Sequence, residues 1–379
     1  MPPQVRFNRR PACAKGSAML PSKHLLLLGA GHAHVEVLRD FAQTPVPGLR
    51  LTVLSRERFS PYSGMLPGVI AGRYTPREAL IDAPALAARA GATFIHDSAI
   101  AIDPHGRLVQ RLGGEAIAYD LLSIDIGATP ALGAKGAADH AIPVKPIDAL
   151  LGKLAGIDQA RSFAVVGGGP AGFEVALALR ARHGKAPVTL VAGLLGLLPS
   201  LPEGVRRRGA AALARHDIGL AEGHPVERVD AGTLHFAGRP PIMAAALLWC
   251  TGATAPGLLA ASGLPCDAAG FVHVQAGLDV PGHPEIFAAG DAACFLSHPL
   301  PKAGVYAVRE GPVLAANLRR AAAGEAPLPF HPQRNALLLL STADGRAIGT
   351  RNGFVVQGGW VWRWKDHIDR AFMRRYSVT

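Results

Sequence analysis

Cysteines are few in this chain and widely spaced. The four of them, Cys13, Cys250, Cys266 and Cys294, form no CxxC motif or other close pair. A disulfide framework of the kind found in small secreted domains is therefore not expected, and a reduced, cytoplasmic setting is favoured. The spacing also argues against chemistry that passes electrons through two neighbouring thiols.

Long apolar runs are also missing. The sequence has no stretch of eighteen or more apolar residues, so no membrane-spanning helix is expected. Residues 1–22 carry prolines and arginines and lack the apolar core of a secretory signal. We predict a disordered tail over 1–22, with Met19 as an alternative start to Met1.

Acidic residues are outnumbered by basic ones, 28 to 39, which gives a net charge of +11. Such an excess suits nucleic acid or an anionic membrane surface. Because no basic run is interleaved with aromatic residues in the body of the chain, nucleic-acid binding is not expected. The 44 glycines and 31 prolines in 379 residues are typical of a loop-rich α/β protein with more than one domain.

Two glycine-rich turns are the main positive signal. The first is Gly29-Ala30-Gly31-His32-Ala33-His34 and the second is Gly167-Gly168-Gly169-Pro170-Ala171-Gly172, each after a short apolar strand. The glycines of such a turn allow close approach of a pyrophosphate, and the helix that follows offers unpaired N–H groups. Only the second turn has its third glycine, since His34 stands there in the first. Two turns in one chain predict two bound dinucleotides.

The layout around the two turns is repeated along the chain. Helices over 35–41 and 173–182 are expected after the turns, followed by strands over 49–54 and 188–191. Each half then ends with an apolar strand that leads into Gly-Ala-Thr, at 127–129 and at 252–254. The repeat predicts two Rossmann-like domains, with Ala128 and Gly252 at the sheet edges where such folds bind ligands.

A third signal is the strand that leads into Gly290-Asp291, before an expected helix. A carboxylate at a strand end can accept hydrogen bonds from a polyol chain, although an aspartate here is also a common helix N-cap. Beside two dinucleotide turns, we interpret Asp291 as a ligand of a ribityl chain.

Taken together, these phrases resemble the pyridine nucleotide-disulfide oxidoreductase superfamily over roughly residues 23–376. Within it, the sequence is similar to type II NADH dehydrogenases and sulfide:quinone reductases. It is more similar still to the flavoprotein module found fused to selenophosphate synthetase. That last similarity rests on residues 29–35, 61–68 and 362–370.

The resemblance implies FAD on the first turn and NAD(P)H on the second. It implies a discontinuous FAD-binding domain over 23–133 and 253–328, an inserted NAD(P)-binding domain over 134–252, and a C-terminal α/β segment over 329–379. The implied reaction is hydride transfer from NAD(P)H to the flavin, then two-electron reduction of a quinone-like acceptor. A selenium or sulfur species as substrate and a non-catalytic flavin redox sensor are the alternatives.

The resemblance also assigns roles to single residues. The run Lys302-Ala303-Gly304-Val305 would lie under the pyrimidine end of the isoalloxazine, with the Lys302 ammonium stabilising the reduced flavin. Glu174 would lie near the contact between flavin and nicotinamide. By themselves, Lys302 is equally a solvated loop lysine and Glu174 an acid favoured by the helix dipole. His32 and His34 either touch the cofactor or pack between helix and sheet.

The chain departs from the usual dinucleotide pattern at the ribose positions, where an acid normally ends the second strand. Here the first half has Ser55, followed by Arg56, and the second half has Ala192. Ser55 can bond a ribose hydroxyl and Ala192 cannot, so the choice between NADH and NADPH stays open. No metal site is expected. No pair of cysteines follows the first turn and no cysteine follows Cys294, whereas the resemblance implies such residues for a thiol relay and for sulfide oxidation; a quinone-like acceptor is therefore favoured.

The last stretch of the chain bears on the acceptor. Apolar residues fall at helical spacing over 360–376, with basic residues mostly elsewhere around the helix; the apolar ones are Trp360, Trp364, Ile368 and Phe372. This pattern predicts either a basic amphipathic helix on the inner face of an anionic membrane or a terminal helix docked on the core. The oligomeric state, including a homodimer, stays open.

Overall fold

The computed structural model describes residues 23–297, 299–333 and 335–377. The expected disordered tail, Cys13 and the choice of start codon therefore lie outside the described residues.

The first sheet has six strands and is parallel except at one edge. In spatial order they are Asp279–Val280, His283–Ala288, Leu121–Ile124, Lys23–Leu28, Leu49–Ser55 and Thr93–His96. Only Asp279–Val280 runs antiparallel to its neighbour. Two of the six strands come from the chain beyond residue 278, so this unit is assembled from two separate parts of the sequence.

The second sheet has five parallel strands and lies wholly between those two parts of the sequence. Its order is Ile142–Pro143, Ala246–Trp249, Phe163–Val166, Val188–Gly193 and Gly219–Glu222. Both sheets have their glycine-rich turn at the end of a central strand, between parallel neighbours on either side. The predicted α/β class with two Rossmann-like units is confirmed.

The two Gly-Ala-Thr phrases meet in space. Thr129–Pro130 and Ala253–Thr254 form a short antiparallel ladder, in which Thr129 Oγ1 donates to the Thr254 carbonyl oxygen at 3.1 Å. The chain therefore passes between the two units along two strands that are paired with each other.

The helices cover the faces of both sheets. After the turns they run slightly further than expected, as His32–Gln43 and Pro170–His183. The other helices are Leu66–Ile70, Ala83–Arg89, Ala137–His140, Ile147–Ile157, Glu203–Arg215, Gly257–Ala261, Gly304–Ala323 and Gly359–Arg375. Three-stranded antiparallel sheets flank the two units, at Ala99–Asp103, Leu108–Arg111 and Ile117–Ala118 and at Val226–Asp230, Thr233–Phe236 and Arg239–Met243.

The C-terminal segment is a third antiparallel sheet followed by a helix. Its strands are Leu338–Ser341, Ala347–Arg351 and Phe354–Gly358, and Gly359–Arg375 follows at once. The core beneath it joins distant parts of the chain, because Met65, Phe173 and Leu340 belong to one buried cluster. The segment is therefore packed against both halves of the repeat.

The expected apolar stripe of the last helix is divided between core and solvent. Phe372 is buried, whereas Trp360, Trp364 and Ile368 are exposed, and the two tryptophan rings stack 6.4 Å apart. Docking on the core therefore describes part of this helix, and contact of its exposed face with a membrane stays a prediction. Among the residues described, no helix has both the length and the apolar character to cross a membrane.

Candidate functional site

The first glycine-rich turn closes around one carboxylate, that of Asp125. Asp125 Oδ2 accepts hydrogen bonds from the backbone N–H groups of Ala33 at 2.8 Å and His34 at 3.0 Å. A Cβ on Gly31 would overlap this carboxylate, and a Cβ on Gly290 would lie 2.7 Å from Oδ1. Burial raises the pKa of Asp125 to about 7. Sequence reasoning did not single out Asp125; an aspartate between Ile124 and Ile126, directly after an apolar strand, was the available signal.

His34 explains how the first turn dispenses with its third glycine. Its ring bonds the Gly29 carbonyl oxygen through Nδ1 at 2.7 Å and Ser123 Oγ through Nε2 at 2.8 Å. The side chain is fully buried, and burial lowers the pKa of His34 to about 4. Of the two alternatives for His34, the structure shows packing between helix and sheet.

The His32 ring, unlike that of His34, has a buried nitrogen, Nε2, without a hydrogen-bond partner among the described residues. The ring lies 5.8 Å from Tyr62 and 6.1 Å from Phe372, between centroids, and burial lowers the pKa of His32 to about 4. A buried polar atom without a partner costs free energy, so this nitrogen fits a polar ligand such as a dinucleotide at the turn.

Ser55 and Arg56 lie at the end of the neighbouring strand. Ser55 is buried and its Oγ donates to the Glu57 carbonyl oxygen at 2.8 Å, while Arg56 forms an ion pair with Glu57. The ribose role of Ser55 stays a prediction.

The prediction of a helix after Gly290 and Asp291 is wrong. Gly290–Ala292 is a single 3-10 turn that leads into the strand Ala293–Phe295, because the chain pairs with Val272–Val274 there. Asp291 is accordingly not the cap of a long helix. Its Oδ2 pairs with Lys145 Nζ at 2.6 Å.

Lys302 is held by protein groups. Its Nζ donates to the Ala293 carbonyl oxygen and lies 3.9 Å from the centroid of the Phe271 ring, and burial lowers the pKa of Lys302. Ala303 is the N-cap of the helix that begins with Gly304 and Val305. A small pocket brings several predicted cofactor residues together with Glu310; its lining includes Gly290, Asp291, Lys302, Ala303, Tyr306 and Glu310.

The second turn presents a more open surface. A Cβ on Gly172 would overlap the Gly167 carbonyl oxygen, whereas a Cβ on Gly169 would meet nothing within 4 Å. Pro170 begins the helix, and no acceptor among the described residues takes the N–H groups of Ala171 and Gly172. Free amides at a helix N-terminus fit a phosphate. Ala128, which is half-buried, and Gly252, which is exposed, lie beside the ladder that links the units.

Cys250 lies against the second turn, next to Gly167. Burial raises the pKa of its thiol to about 12, so the thiolate needed for nucleophilic chemistry is not formed near neutral pH. Cys250, Cys266 and Cys294 are all free thiols.

Glu174 contacts the C-terminal segment. Its Oε1 accepts a hydrogen bond from the Ser341 N–H at 2.7 Å, and burial raises the pKa of Glu174 to about 7 although Lys365 opposes the shift. A carboxyl with this pKa exchanges protons near neutral pH.

Lys365 and Asp369 complete this arrangement from the last helix. Lys365 Nζ donates to the Gly64 carbonyl oxygen at 2.6 Å and to Asp369 Oδ2 at 2.7 Å, and Tyr62 Oη donates to Asp369 Oδ1 at 3.1 Å. Burial opposes the charge on Lys365, but Glu174 and Asp369 raise its pKa. The sequence did not predict that these residues meet; a lysine and an aspartate one turn apart on the last helix were the available signal.

Comparison with known proteins agrees with this geometry. Residues 23–311 match the profile of a family described as pyridine nucleotide-disulphide oxidoreductase. The demethylphylloquinone reductase NdbB of Synechocystis is 30% identical over 224 residues, which are 55% of each chain. Ferroptosis suppressor protein 1 of Xenopus tropicalis is 28% identical over 210 residues, 52% of this chain and 55% of that one. The chain thus spans about half the length of these curated relatives.

Solved structures share the fold at low identity. The sulfide:quinone oxidoreductase of Aquifex aeolicus superposes with a TM-score of 0.79 at 18% identity, over 93% of this chain and 91% of its own. The NDH2 of Plasmodium falciparum, solved with NADH, gives 0.77 at 14% identity, over 93% and 98%. The family match confirms the resemblance to the pyridine nucleotide-disulfide oxidoreductase superfamily and the expected pair of cofactors, FAD and NAD(P)H.

Proposed function

Because the chain belongs to the pyridine nucleotide-disulphide oxidoreductase family, we propose that it passes a hydride from NAD(P)H to FAD and two electrons on to a quinone-like acceptor. The first turn, Gly290 and Asp291 would hold the FAD, and the second turn would hold the NAD(P)H. The bound flavin supplies the hydride acceptor and the electron donor of this reaction.

The observation that carries the choice of acceptor is the cluster of Glu174, Lys365, Asp369 and Tyr62. A quinone needs two protons as well as two electrons, and these side chains are among the ionisable groups that lie where the last helix meets both halves of the repeat. Glu174, with a pKa of about 7, can release a proton at neutral pH and take one up again from solvent. Lys365 holds compensating positive charge beside it.

The state of the thiols supports the same choice. The three described cysteines are unpaired, and burial raises the pKa of each one. Among the described residues, no two cysteines are paired as electron transfer through a protein disulfide would require. Two relatives carry names that refer to quinones, which is consistent with this acceptor.

We also propose that the exposed face of the last helix lies on a membrane surface. Trp360, Trp364 and Ile368 project beside the exposed Arg363, and Phe354 on the adjoining strand is 79% exposed. Apolar side chains with interfacial tryptophans and cations suit an anionic bilayer, where a lipid-soluble quinone is dissolved.

The acceptor is tested by reoxidation of the reduced flavoprotein under anaerobic conditions. We expect a short-chain quinone to restore the oxidised flavin spectrum within turnover time, and a low-molecular-weight disulfide to leave the flavin reduced. Fast reoxidation by the disulfide with none by the quinone would mean that a disulfide, which is reduced to two thiols, is the acceptor in place of the quinone.

A further inference from the structure

The two glycine-rich turns differ in what their helix N-termini contact. In the second turn, the N–H groups of Ala171 and Gly172 have no acceptor among the described residues. In the first turn, the corresponding N–H groups of Ala33 and His34 both point at Asp125 Oδ2, at 2.8 and 3.0 Å. The first helix therefore already has an internal anion at the position that attracts phosphate.

Asp125 is placed there by the sheet. It follows the strand Leu121–Ile124, which pairs in parallel with Lys23–Leu28, so the strand end meets the start of the turn. The Asp125 N–H donates to the Leu28 carbonyl oxygen at 2.9 Å, and its carbonyl oxygen accepts from the Gly31 N–H at 3.1 Å. With 3% of its surface exposed, the residue cannot turn its carboxylate to solvent without opening the turn.

The charges around Asp125 are mostly negative. Asp291 and Glu310 both face it across Gly290, and Glu310 Oε2 accepts the Gly290 N–H at 2.6 Å. Asp291 has a cationic partner in Lys145, and Lys302 lies near Glu310. Asp125 itself has only amide donors within the described residues, and the neighbouring His32 and His34 are kept neutral by burial.

We propose that FAD binding to the first turn is coupled to uptake of one proton by Asp125. The pyrophosphate and an ionised Asp125 would share one helix N-terminus inside a buried site, so their repulsion opposes binding. Protonation removes that repulsion and turns the carboxyl into a donor toward a phosphate oxygen. The proton comes from solvent, and the inference rests on the proposed assignment of FAD to this turn.

Coupling of FAD binding to proton uptake fixes the direction in which FAD affinity changes with pH. Burial already raises the pKa of Asp125 to about 7, and a pyrophosphate nearby raises it further. Since the complex binds more protons than the apoprotein, FAD affinity falls as pH rises through and above 7. For one coupled proton, the slope approaches tenfold in Kd for each pH unit.

The test uses deflavinated full-length protein and measures FAD binding by quenching of flavin fluorescence from pH 6 to 8.5. Calorimetry in two buffers of different ionisation enthalpy gives the proton count directly for the unaltered protein. We expect about one proton taken up near pH 8 and a Kd that rises with pH. A proton count of zero in the unaltered protein overturns the inference, whether or not any variant folds.

Two variants assign the proton to a residue. Asp125→Asn should bind FAD with a Kd that hardly changes with pH, whereas Glu310→Gln, which keeps an oxygen for the Gly290 N–H, should retain the full pH dependence. The reverse outcome would place the proton on Glu310 and overturn the role of Asp125. If FAD fails to bind the unaltered apoprotein at any pH, the proposed function fails instead.

Discussion

Lys365 Nζ and Asp369 Oδ2 lie 2.7 Å apart, one turn from each other on the last helix, and Tyr62 Oη donates to the same carboxylate. Tyr62 belongs to the first half of the repeat. Glu174, which raises the pKa of Lys365, belongs to the second half. The last helix is therefore the element that brings ionisable groups from both halves together. The proposed role of Glu174 as a proton donor at this place can be tested by substitution.

Replacing Glu174 by glutamine should slow reduction of the acceptor about 100-fold, because the variant cannot supply the proton. Reduction of the flavin by NAD(P)H should change little. In the unaltered protein the acceptor step should slow as pH rises above 7, since the pKa of Glu174 is about 7 and only the protonated form donates. Stopped-flow spectroscopy of each half-reaction measures both effects.

The matched control for that variant is Glu203→Gln. Glu203 is exposed and pairs with Arg206 one turn along its own helix. It should leave both half-reactions and their pH dependence unchanged. Equal losses in the two half-reactions of Glu174→Gln would mean that the residue supports the fold and does not deliver a proton.

Replacing His34 by alanine should lower the free energy of unfolding by about 1–3 kcal/mol at pH 7.5, because it leaves the buried Ser123 hydroxyl and Gly29 carbonyl unpaired. Urea titration measures the loss. The folded pKa of His34 is about 4 and its ordinary value is 6.5, so the unfolded chain binds more protons between these values. The stabilisation by His34 is thus present above pH 6.5 and is lost as pH falls toward 4.

The difference between His34→Ala and the unaltered protein should therefore shrink between pH 6.5 and 4.5. The exposed His367 is a suitable control, and His367→Ala should alter stability little at either pH. A difference that grows on acidification would mean that His34 is charged in the folded protein.

Replacing Gly31 by alanine should yield protein with little bound FAD, since the added Cβ would overlap the Asp125 carboxylate and force the turn open. Gly133→Ala is the control, because a Cβ there meets nothing within 4 Å. The flavin content of the purified proteins, from the ratio of visible to ultraviolet absorbance, decides the matter. Full flavin content in Gly31→Ala would remove the first turn from the FAD site.

Replacing Trp360 and Trp364 together by serine should weaken binding to anionic phospholipid vesicles roughly tenfold, because both rings are exposed and amphipathic. Vesicle sedimentation gives the binding constants. Leu112→Ser removes an exposed apolar side chain that is 71% accessible, in the turn after the strand Leu108–Arg111, and should have no effect. If neither change alters vesicle binding, the membrane contact lies elsewhere or does not exist.

The repeat and the two turns could be predicted from sequence because their signals are local. Each turn directly follows a short apolar strand, and the Gly-Ala-Thr phrases repeat in order along the chain. The role of Asp125 could not be read in this way, since it depends on Leu121–Ile124 lying beside Lys23–Leu28. The pairing of Tyr62 with Asp369 spans most of the chain, and no local pattern specifies such a contact.

The prediction of a helix after Asp291 was wrong for a related reason. The local sequence resembles a strand followed by an N-cap, but pairing with Val272–Val274 draws Ala293–Phe295 into a strand. The position of Lys302 against Phe271 follows from that same strand. Tertiary pairing thus overrode the local preference at the segment that the sequence had linked to the flavin.

Hydride transfer from NAD(P)H to the flavin is tested most directly by anaerobic titration of the purified flavoprotein with NADH and with NADPH, followed in the visible absorption band of the flavin. We predict that at least one nucleotide bleaches this band rapidly and with a stoichiometry of one nucleotide per flavin. A protein that carries no flavin, or a bound flavin that neither nucleotide reduces, would contradict it.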